Sequence, residues 1–213
     1  MPKKAVLFDM DGTLVDTVDD LAAALNFTLR TLGLPGKSRS EVKGCLGMGI
    51  PVMVDLALPP EKKGVREEAI KIFRGYYKEH LTDFTRPYEG IPELVKELKD
   101  KGFHLAVISN KIQSALEDIV HRFFGDSFEV IIGQRDNLPQ KPAPDSVYLA
   151  LDIMGLKKEN SVYIGDSDVD MKTAFNAGVD LVSCSWGFKT KEELVSFGAK
   201  TIINEPLQLL KLI

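Results

Sequence analysis

The spacing of apolar positions changes character twice along the chain, and the two changes divide it. Ala5-Val6-Leu7-Phe8 is a short apolar run closed by Asp9-Met10-Asp11-Gly12-Thr13, the form of a buried strand ending in a turn. From Asp16 onward the apolar residues recur at helical spacing. Leu21, Leu25, Leu29 and Leu32 line a first predicted helix, with Thr17 as its cap and Gly33 and Pro35 as its stop. Ser40 caps a short second helix reaching about Leu46. Gly47-Met48-Gly49 interrupts, and Ile50 to Leu58 forms a third. A fourth runs from Val65 to about Leu81, with Ala69, Ile72, Phe73, Tyr76 and Tyr77 on its apolar face. No strand is predicted between Asp16 and Phe84.

Beyond Tyr88 helix and strand alternate. Helices are predicted at Pro92 to Asp100, Gln113 to Phe124, Asp145 to Met154, Asp170 to Ala177, Lys191 to Phe197 and from Pro206. Between them stand the strands Leu105 to Ile108, ending at Ser109-Asn110, then Val130 to Ile132, Val162 to Ile164, Leu181 to Cys184 and Thr201 to Ile203. Short apolar strands separated by amphipathic helices predict an α/β fold: a Rossmann-like, mostly parallel sheet with helices on both faces. Residues 1–15 and 86–213 form that core. The all-helical block 16–85 suits an inserted lid.

Composition narrows the function classes. The chain has 213 residues, 27% of them charged, and a net charge of −4, which disfavours a nucleic-acid scaffold. No apolar run approaches the roughly 20 residues of a membrane span. Met1-Pro2-Lys3-Lys4 leads into a strand rather than a signal-peptide apolar region, so a cytoplasmic location is expected. Cys45 and Cys184 are far apart and outside any C-x-x-C, so reduced structural thiols are expected. His80, His104 and His121 are scattered without ligand spacing.

The candidate chemistry lies at strand ends. Asp9/Asp11, Ser109/Asn110, Lys141 and Asp166/Asp170 all follow predicted strands, Lys141 somewhat farther out in Gln140-Lys141-Pro142-Ala143-Pro144-Asp145. In a parallel sheet such positions converge on one edge. Asp9 and Asp11, two apart, project to the same side of a strand, and Gly12 permits a bend that turns the Asp11 carbonyl inward. Taken singly, each group has an ordinary structural role: Asp and Gly as turn formers, Ser109 as a helix cap, Lys141 as a solvated loop lysine, Asp168 as a helix-start acid, Trp186 as a packing residue. Together they supply carboxylates, a hydroxyl with helix-start amides and a fixed cation, the requirements of phosphoryl transfer.

Asp9-Met10-Asp11-Gly12-Thr13, Ile108-Ser109-Asn110, Lys141-Pro142-Ala143-Pro144-Asp145 and Gly165-Asp166-Ser167-Asp168-Val169-Asp170, in that order, resemble the haloacid dehalogenase superfamily. The resemblance covers the whole chain. Asp11-Gly12-Thr13-Leu14-Val15-Asp16-Thr17 and the later Ala177-Gly178-Val179 and Trp186-Gly187-Phe188 are most similar to phosphoglycolate phosphatase-like members. The resemblance implies Asp9 as nucleophile and Asp11 as acid and base. It implies Ser109, Asn110 and Lys141 as the phosphate-binding groups, with Lys141 also neutralising charge on the nucleophile. It implies Mg²⁺ held by the Asp9 carboxylate, the Asp11 carbonyl and Asp166, with Asp170 supporting Lys141 or a metal-bound water. The insert becomes a cap whose loop around Gly47, Met48 and Gly49 meets the leaving group.

The expected substrate is a small phosphorylated metabolite such as phosphoglycolate, with no nucleic-acid or membrane partner; the sequence leaves the oligomeric state open. A β-phosphoglucomutase-like mutase and a pyrophosphatase are the alternatives. Thr13 and Gly165 stand where mutase-like sequences tend to carry Val and Glu, which favours hydrolysis. Dehalogenation and phosphonate cleavage are disfavoured because Asp11 is present. A non-catalytic binding protein is least favoured, since every expected side chain is present.

Overall fold

A computed structural model describes residues 3–213; Met1 and Pro2, on which the cytoplasmic expectation partly rests, lie outside them. The elements run β1 Ala5–Phe8, β2 Val15–Asp16, α1 Val18–Thr31, α2 Arg39–Lys43, α3 Ile50–Ala57, α4 Arg66–Glu79 and β3 Arg86–Pro87. They continue with α5 Ile91–Asp100, β4 His104–Ile112, α6 Gln113–Phe124, β5 Val130–Gln134, α7 Asp145–Ile153, β6 Ser161–Gly165, α8 Asp168–Ala177, β7 Asp180–Cys184, α9 Lys191–Ser196 and β8 Ile202–Ile203. Pro206–Lys211 is a 3₁₀ helix rather than the expected α-helix. The chain divides into two compact units: one runs up to Val15 and resumes at Pro87–Ile213, and the other is Asp16–Arg86.

The first unit is built on a six-stranded sheet in the order β5-β4-β1-β6-β7-β8, parallel at every pairing. After β1 the strands grow outward through β4 to β5, then return to the other side of β1 through β6. That reversal puts a topological switch point at the carboxyl end of β1, where open sheets form their ligand crevices. The register levels the strand ends, because Phe8 pairs with both Val107 and Ile164. Alternation along the strands sends side chains to two buried faces. Ala5, Leu7, Ala106, Ile108, Ile132 and Tyr163 pack under Val147, Ala150 and Leu151 of α7 and Ala174 and Ala177 of α8. Val6 and Phe8, also fully buried, point to the other face, where Phe8 meets Phe128 edge-on.

β4 departs from the expected strand. It was expected to end at Ile108, yet it runs to Ile112, with a register shift in between. Ile108 pairs with Ile132 and Ile112 with Gln134, so Ser109, Asn110 and Lys111 stand opposite the single residue Gly133. This is an extended bulge, a device that re-aims side chains beside a site. Gln113 closes it: its Oε1 accepts from the Gly133 amide (2.6 Å), and its Nε2 donates to the Ile131 carbonyl (3.0 Å). Ser109 therefore neither caps α6 nor sits beside its first amides. Its Oγ accepts from the Lys111 amide at 3.2 Å instead.

The second unit packs four helices around Leu25, Leu29, Met53, Val54, Phe73 and Tyr77. Its α2 is capped by Ser38, not Ser40, and stops at Lys43 rather than near Leu46. Ser38-Arg39-Ser40-Glu41 forms a capping box, in which the Ser38 amide donates to the Glu41 carboxylate (2.8 Å) and the Ser38 Oγ accepts from the Glu41 amide (3.3 Å). Glu41 lies three residues after Ser38 and only one after Ser40, and that spacing decides the helix start. Thr17 precedes α1 without a side-chain cap bond, and Asp16 Oδ1 accepts from the Val18 amide in its place (3.1 Å). Asp20, almost fully buried, accepts from the Thr85 amide (2.7 Å), the Thr85 hydroxyl (2.6 Å) and the Phe84 amide (3.0 Å). Among the described residues no helix is long and apolar enough to cross a membrane. Cys45 and Cys184 are free thiols.

Candidate active site

Four strand-end segments of the first unit meet at the carboxyl edge of β1, β4 and β6. Asp9 follows β1, its amide bonded to the Ile164 carbonyl of β6 (2.9 Å). The chain then folds tightly, with the Met10 carbonyl accepting from the amides of Leu14 (2.9 Å) and Val15 (3.1 Å). Gly12 is indispensable to this turn on two counts. Its φ of 91° is left-handed, and a Cβ there would collide with the Asp166 carboxylate.

Lys141 is the hub. Its buried ammonium donates to Asp9 Oδ1 (2.8 Å), Asp170 Oδ1 (2.7 Å) and the Tyr163 hydroxyl (3.0 Å), which uses all three of its donors. Asn110 fixes the backbone that carries it, donating from Nδ2 to the Lys141 carbonyl (3.0 Å) and accepting the Lys141 amide on Oδ1 (2.9 Å). Both polar atoms of the Asn110 side chain are thereby bonded to the Lys141 backbone. Burial alone would drive the lysine pKa down. The Asp170 and Asp9 charges outweigh it and hold the group well above its ordinary value.

Asp170 does two jobs. One oxygen grips Lys141, and the other accepts from the Ser167 amide (3.2 Å) and hydroxyl (2.6 Å). It is the third residue of α8 and closes a capping box with Ser167, which is why α8 begins at Asp168 rather than at Asp170. Asp166 sits between β6 and α8. It accepts from the Thr13 hydroxyl (3.2 Å) and from the Phe188 amide (2.6 Å). Trp186 is half-buried and donates from Nε1 to the Thr13 carbonyl (3.0 Å). Asp168 is paired with Lys172 four residues on (2.7 Å).

Asp9, Asp166 and Asp170 each offer a carboxylate oxygen, and the three oxygens lie within 4.8 Å of one another. Burial, then the neighbouring Asp170 charge, lifts the Asp9 pKa to about 7 against the pull of Lys141. The same two causes lift Asp166 well above the carboxylate range. Three buried carboxylates around one ammonium leave an excess of negative charge that burial makes expensive. Hard oxygen donors without histidine or thiolate suit a cation such as Mg²⁺, so the donor set fits one. The carboxylate of Asp11 stands outside this cluster, so any metal role for Asp11 falls to its carbonyl.

Asp11 has its own cation, which the sequence reading missed. Lys111 Nζ lies 2.9 Å from Asp11 Oδ1, with the lysine side chain 5% exposed and the aspartate 18%. No sequence signal marked it, since a lysine after Ser-Asn reads as an ordinary solvated loop residue. Tyr163 was likewise read only as a strand residue. Gly47, Met48 and Gly49 lie in the second unit between α2 and α3. Gly47 and Gly49 have φ of 104° and 82°, and Met48 is exposed. A surface cavity of about 660 Å³ beside α8 and β7, lined by Met171, Phe175, Leu181 and Phe197, holds none of the predicted site residues.

A parallel sheet presenting an Asp-x-Asp turn, a polar bulge, a buried lysine and a second pair of aspartates defines a class of hydrolase. The chain belongs to the haloacid dehalogenase-like hydrolases, whose family model matches residues 6–184. It is 34% identical to a phosphoglycolate phosphatase of Aquifex aeolicus, over 98% of this chain and 96% of that one. It is 31% identical to an N-acetylmuramic acid 6-phosphate phosphatase of Pseudomonas aeruginosa, over 99% of this chain and 94% of that one. A crystal structure from Lactobacillus delbrueckii, 32% identical, superposes with a TM-score of 0.94 over 100% of this chain and 99% of its own. The protein is thus a phosphatase of that family, with a six-stranded parallel sheet and a helical insert.

Proposed function

We propose that the protein is a Mg²⁺-dependent phosphatase for a small phosphomonoester, with phosphoglycolate the favoured substrate, acting through an aspartyl phosphate on Asp9. The observation that carries this reading is the division of cations between the two aspartates of the first turn: Lys141 on Asp9 and Lys111 on Asp11. Asp9 Oδ1 is held by Lys141, which leaves Oδ2 as the attacking atom. As the Asp9 Oδ2–phosphorus bond forms and the ester bond breaks, Asp11 donates its proton to the departing alkoxide. Asp11 then takes a proton from the water that attacks phosphorus and frees Asp9. Ser109 Oγ and the Asn110 backbone amide are assigned to the phosphoryl oxygens. The Asp9 and Asp166 carboxylates and the Asp11 carbonyl would hold Mg²⁺, which when bound would supply positive charge against the repulsion between a carboxylate and a phosphate dianion. The Gly47–Gly49 turn is the candidate for choosing among leaving groups.

The experiment is phosphate release from 2-phosphoglycolate, N-acetylmuramic acid 6-phosphate, β-glucose 1-phosphate and pyrophosphate, each with Mg²⁺ and with chelator. The expected result is the highest kcat/KM for 2-phosphoglycolate, abolished by chelation. Metal-independent turnover, or interconversion of glucose phosphates without phosphate release, contradicts the reading.

A further inference from the structure

We infer that Thr13 and the segment Trp186-Gly187-Phe188 are positioning residues of the cation site. Together they hold the Asp166 carboxylate in a slot of neutral donors, which fixes its direction and leaves its charge for a divalent cation. The inference rests on the Mg²⁺-dependent reading above and goes on to name the residues that prepare the site.

The allocation of charge within the cluster is the first of three observations. Lys141 forms ion pairs with Asp9 and Asp170, and its remaining donor goes to the Tyr163 hydroxyl. Asp166, only 1% exposed, is bonded instead by two groups that carry no charge. The Thr13 hydroxyl donates to its Oδ1 (3.2 Å) and the Phe188 amide to its Oδ2 (2.6 Å). A cationic partner fixes a carboxylate and neutralises it. Neutral donors fix it and leave the charge in place, at a depth where an uncompensated charge is expensive. Of the three clustered carboxylates, Asp166 is the one prepared to receive a cation.

The slot itself is the second observation. Gly12 and Gly187 come against Asp166 from two different segments. A Cβ on Gly12 would stand 2.8 Å from the Asp166 carboxylate carbon and 2.9 Å from its Oδ1. A Cβ on Gly187 would collide with the Gly12 carbonyl oxygen and with Asp166 Cβ and Oδ2. Gly187 is not among the residues with a positive φ, so space alone requires glycine there. Close packing on both flanks leaves the carboxylate little room to turn.

The third is the tie between the two donors. Trp186 Nε1 donates to the Thr13 carbonyl (3.0 Å), and the Thr13 amide donates to the Met10 carbonyl (3.3 Å). The segment that supplies the Phe188 amide is thus fastened to the residue that supplies the hydroxyl, and both are fastened to the turn after β1. Groups that orient a metal-ligating side chain in this way carry about 10–100-fold in metal affinity.

The test is isothermal titration of the metal-free protein with Mg²⁺ alone, which reads affinity without turnover. Thr13→Val keeps the shape and removes the hydroxyl, and should raise the Mg²⁺ Kd about 10-fold or more. Thr13→Ser keeps the hydroxyl and should bind within about threefold of wild type. Gly187→Ala, which drives its segment away from Asp166, should weaken binding as Thr13→Val does. Folding is read from each thermal transition. If Thr13→Val lacks a cooperative one, Thr13→Ala supplies the same comparison; if Gly187→Ala lacks one, Trp186→Phe takes its place. A Thr13→Val Kd within about threefold of wild type overturns the inference, because the hydroxyl then serves packing alone. Thr13→Ser binding as weakly as Thr13→Val overturns it too, since the methyl group would then be the part that matters. Unchanged binding by the variant at 186 or 187 removes that segment from the account. In all three cases Mg²⁺ uptake by wild type leaves the phosphatase reading intact. A wild type that takes up no Mg²⁺ sinks the Mg²⁺-dependent reading itself.

Discussion

Lys141 carries more of this site than any other single residue, and its surroundings give a sharp expectation. Lys141→Met removes the ammonium from between the buried carboxylates of Asp9 and Asp170. Breaking a buried pair from one side costs about 3–5 kcal/mol, so the melting temperature of the metal-free protein should fall by several degrees. Saturating Mg²⁺ should recover part of that loss while activity stays at least about 100-fold down. A variant as stable as wild type without metal would mean that these carboxylates are protonated or solvated instead. At this scale the sequence was informative where a residue type is unusual for its place. Aspartates directly after apolar strands stood out, whereas Lys141 by itself reads as a solvated loop lysine and gains meaning only in order with the other motifs. It was uninformative for Lys111, because a lysine after Ser-Asn looks like ordinary solvated loop, and only its pairing with Asp11 reveals it.

Among the elements, the β4 bulge decides how the site is presented. A Cβ on Gly133 would stand 2.7 Å from the Lys111 carbonyl and 2.8 Å from Gln113 Cα, both backbone and neither free to give way. Gly133→Ala should therefore displace the bulged segment, cost about 1–3 kcal/mol of stability and reduce kcat by about tenfold or more through misplaced Ser109 and Lys111. Wild-type kinetics in that variant, measured with its thermal transition, would show that the bulge does not position these residues. The bulge was illegible in sequence because a polar Ser-Asn-Lys run reads as the end of a strand. Its pairing is set by β5 and by the bonds of the Gln113 side chain to Ile131 and Gly133, partners 18 and 20 positions away that no local pattern announces. The start of α2 was legible in principle. Ser38 and Ser40 are equal as caps, and only Glu41 at the right spacing separates them.

For the whole molecule, alternation of strand and helix was enough to predict a parallel α/β sheet with a helical insert, since each element buries an apolar face that its own sequence displays. The strand order was not legible, because parallel neighbours are joined through helices and carry no local pairing signal. Nor was the fastening of the helical unit. Asp20 looks like one more acid in the first turn of α1, yet it receives both Thr85 donors across 65 positions of sequence. Asp20→Ala would leave the buried Thr85 amide unsatisfied and its hydroxyl with only the Leu81 carbonyl at 3.5 Å, at a cost of about 2–3 kcal/mol. Hydrogen exchange should show that loss concentrated in Asp16–Arg86, with the sheet amides of β1 and β4 protected as before. Uniform loss across both units would contradict the separate accounting of the two.

The central claim is that Asp9 becomes phosphorylated. The direct measurement is rapid acid quenching during turnover of 2-phosphoglycolate, followed by peptide mass mapping. The account predicts one phosphoryl group on the peptide containing Asp9, labile to hydroxylamine as an acyl phosphate is, and absent from Asp9→Asn. It should persist longer in Asp11→Asn, once formed from an aryl phosphate whose leaving group needs no proton. Turnover by Asp9→Asn above about a tenth of the wild-type rate, or a phosphoryl group mapped to any other residue, would contradict it.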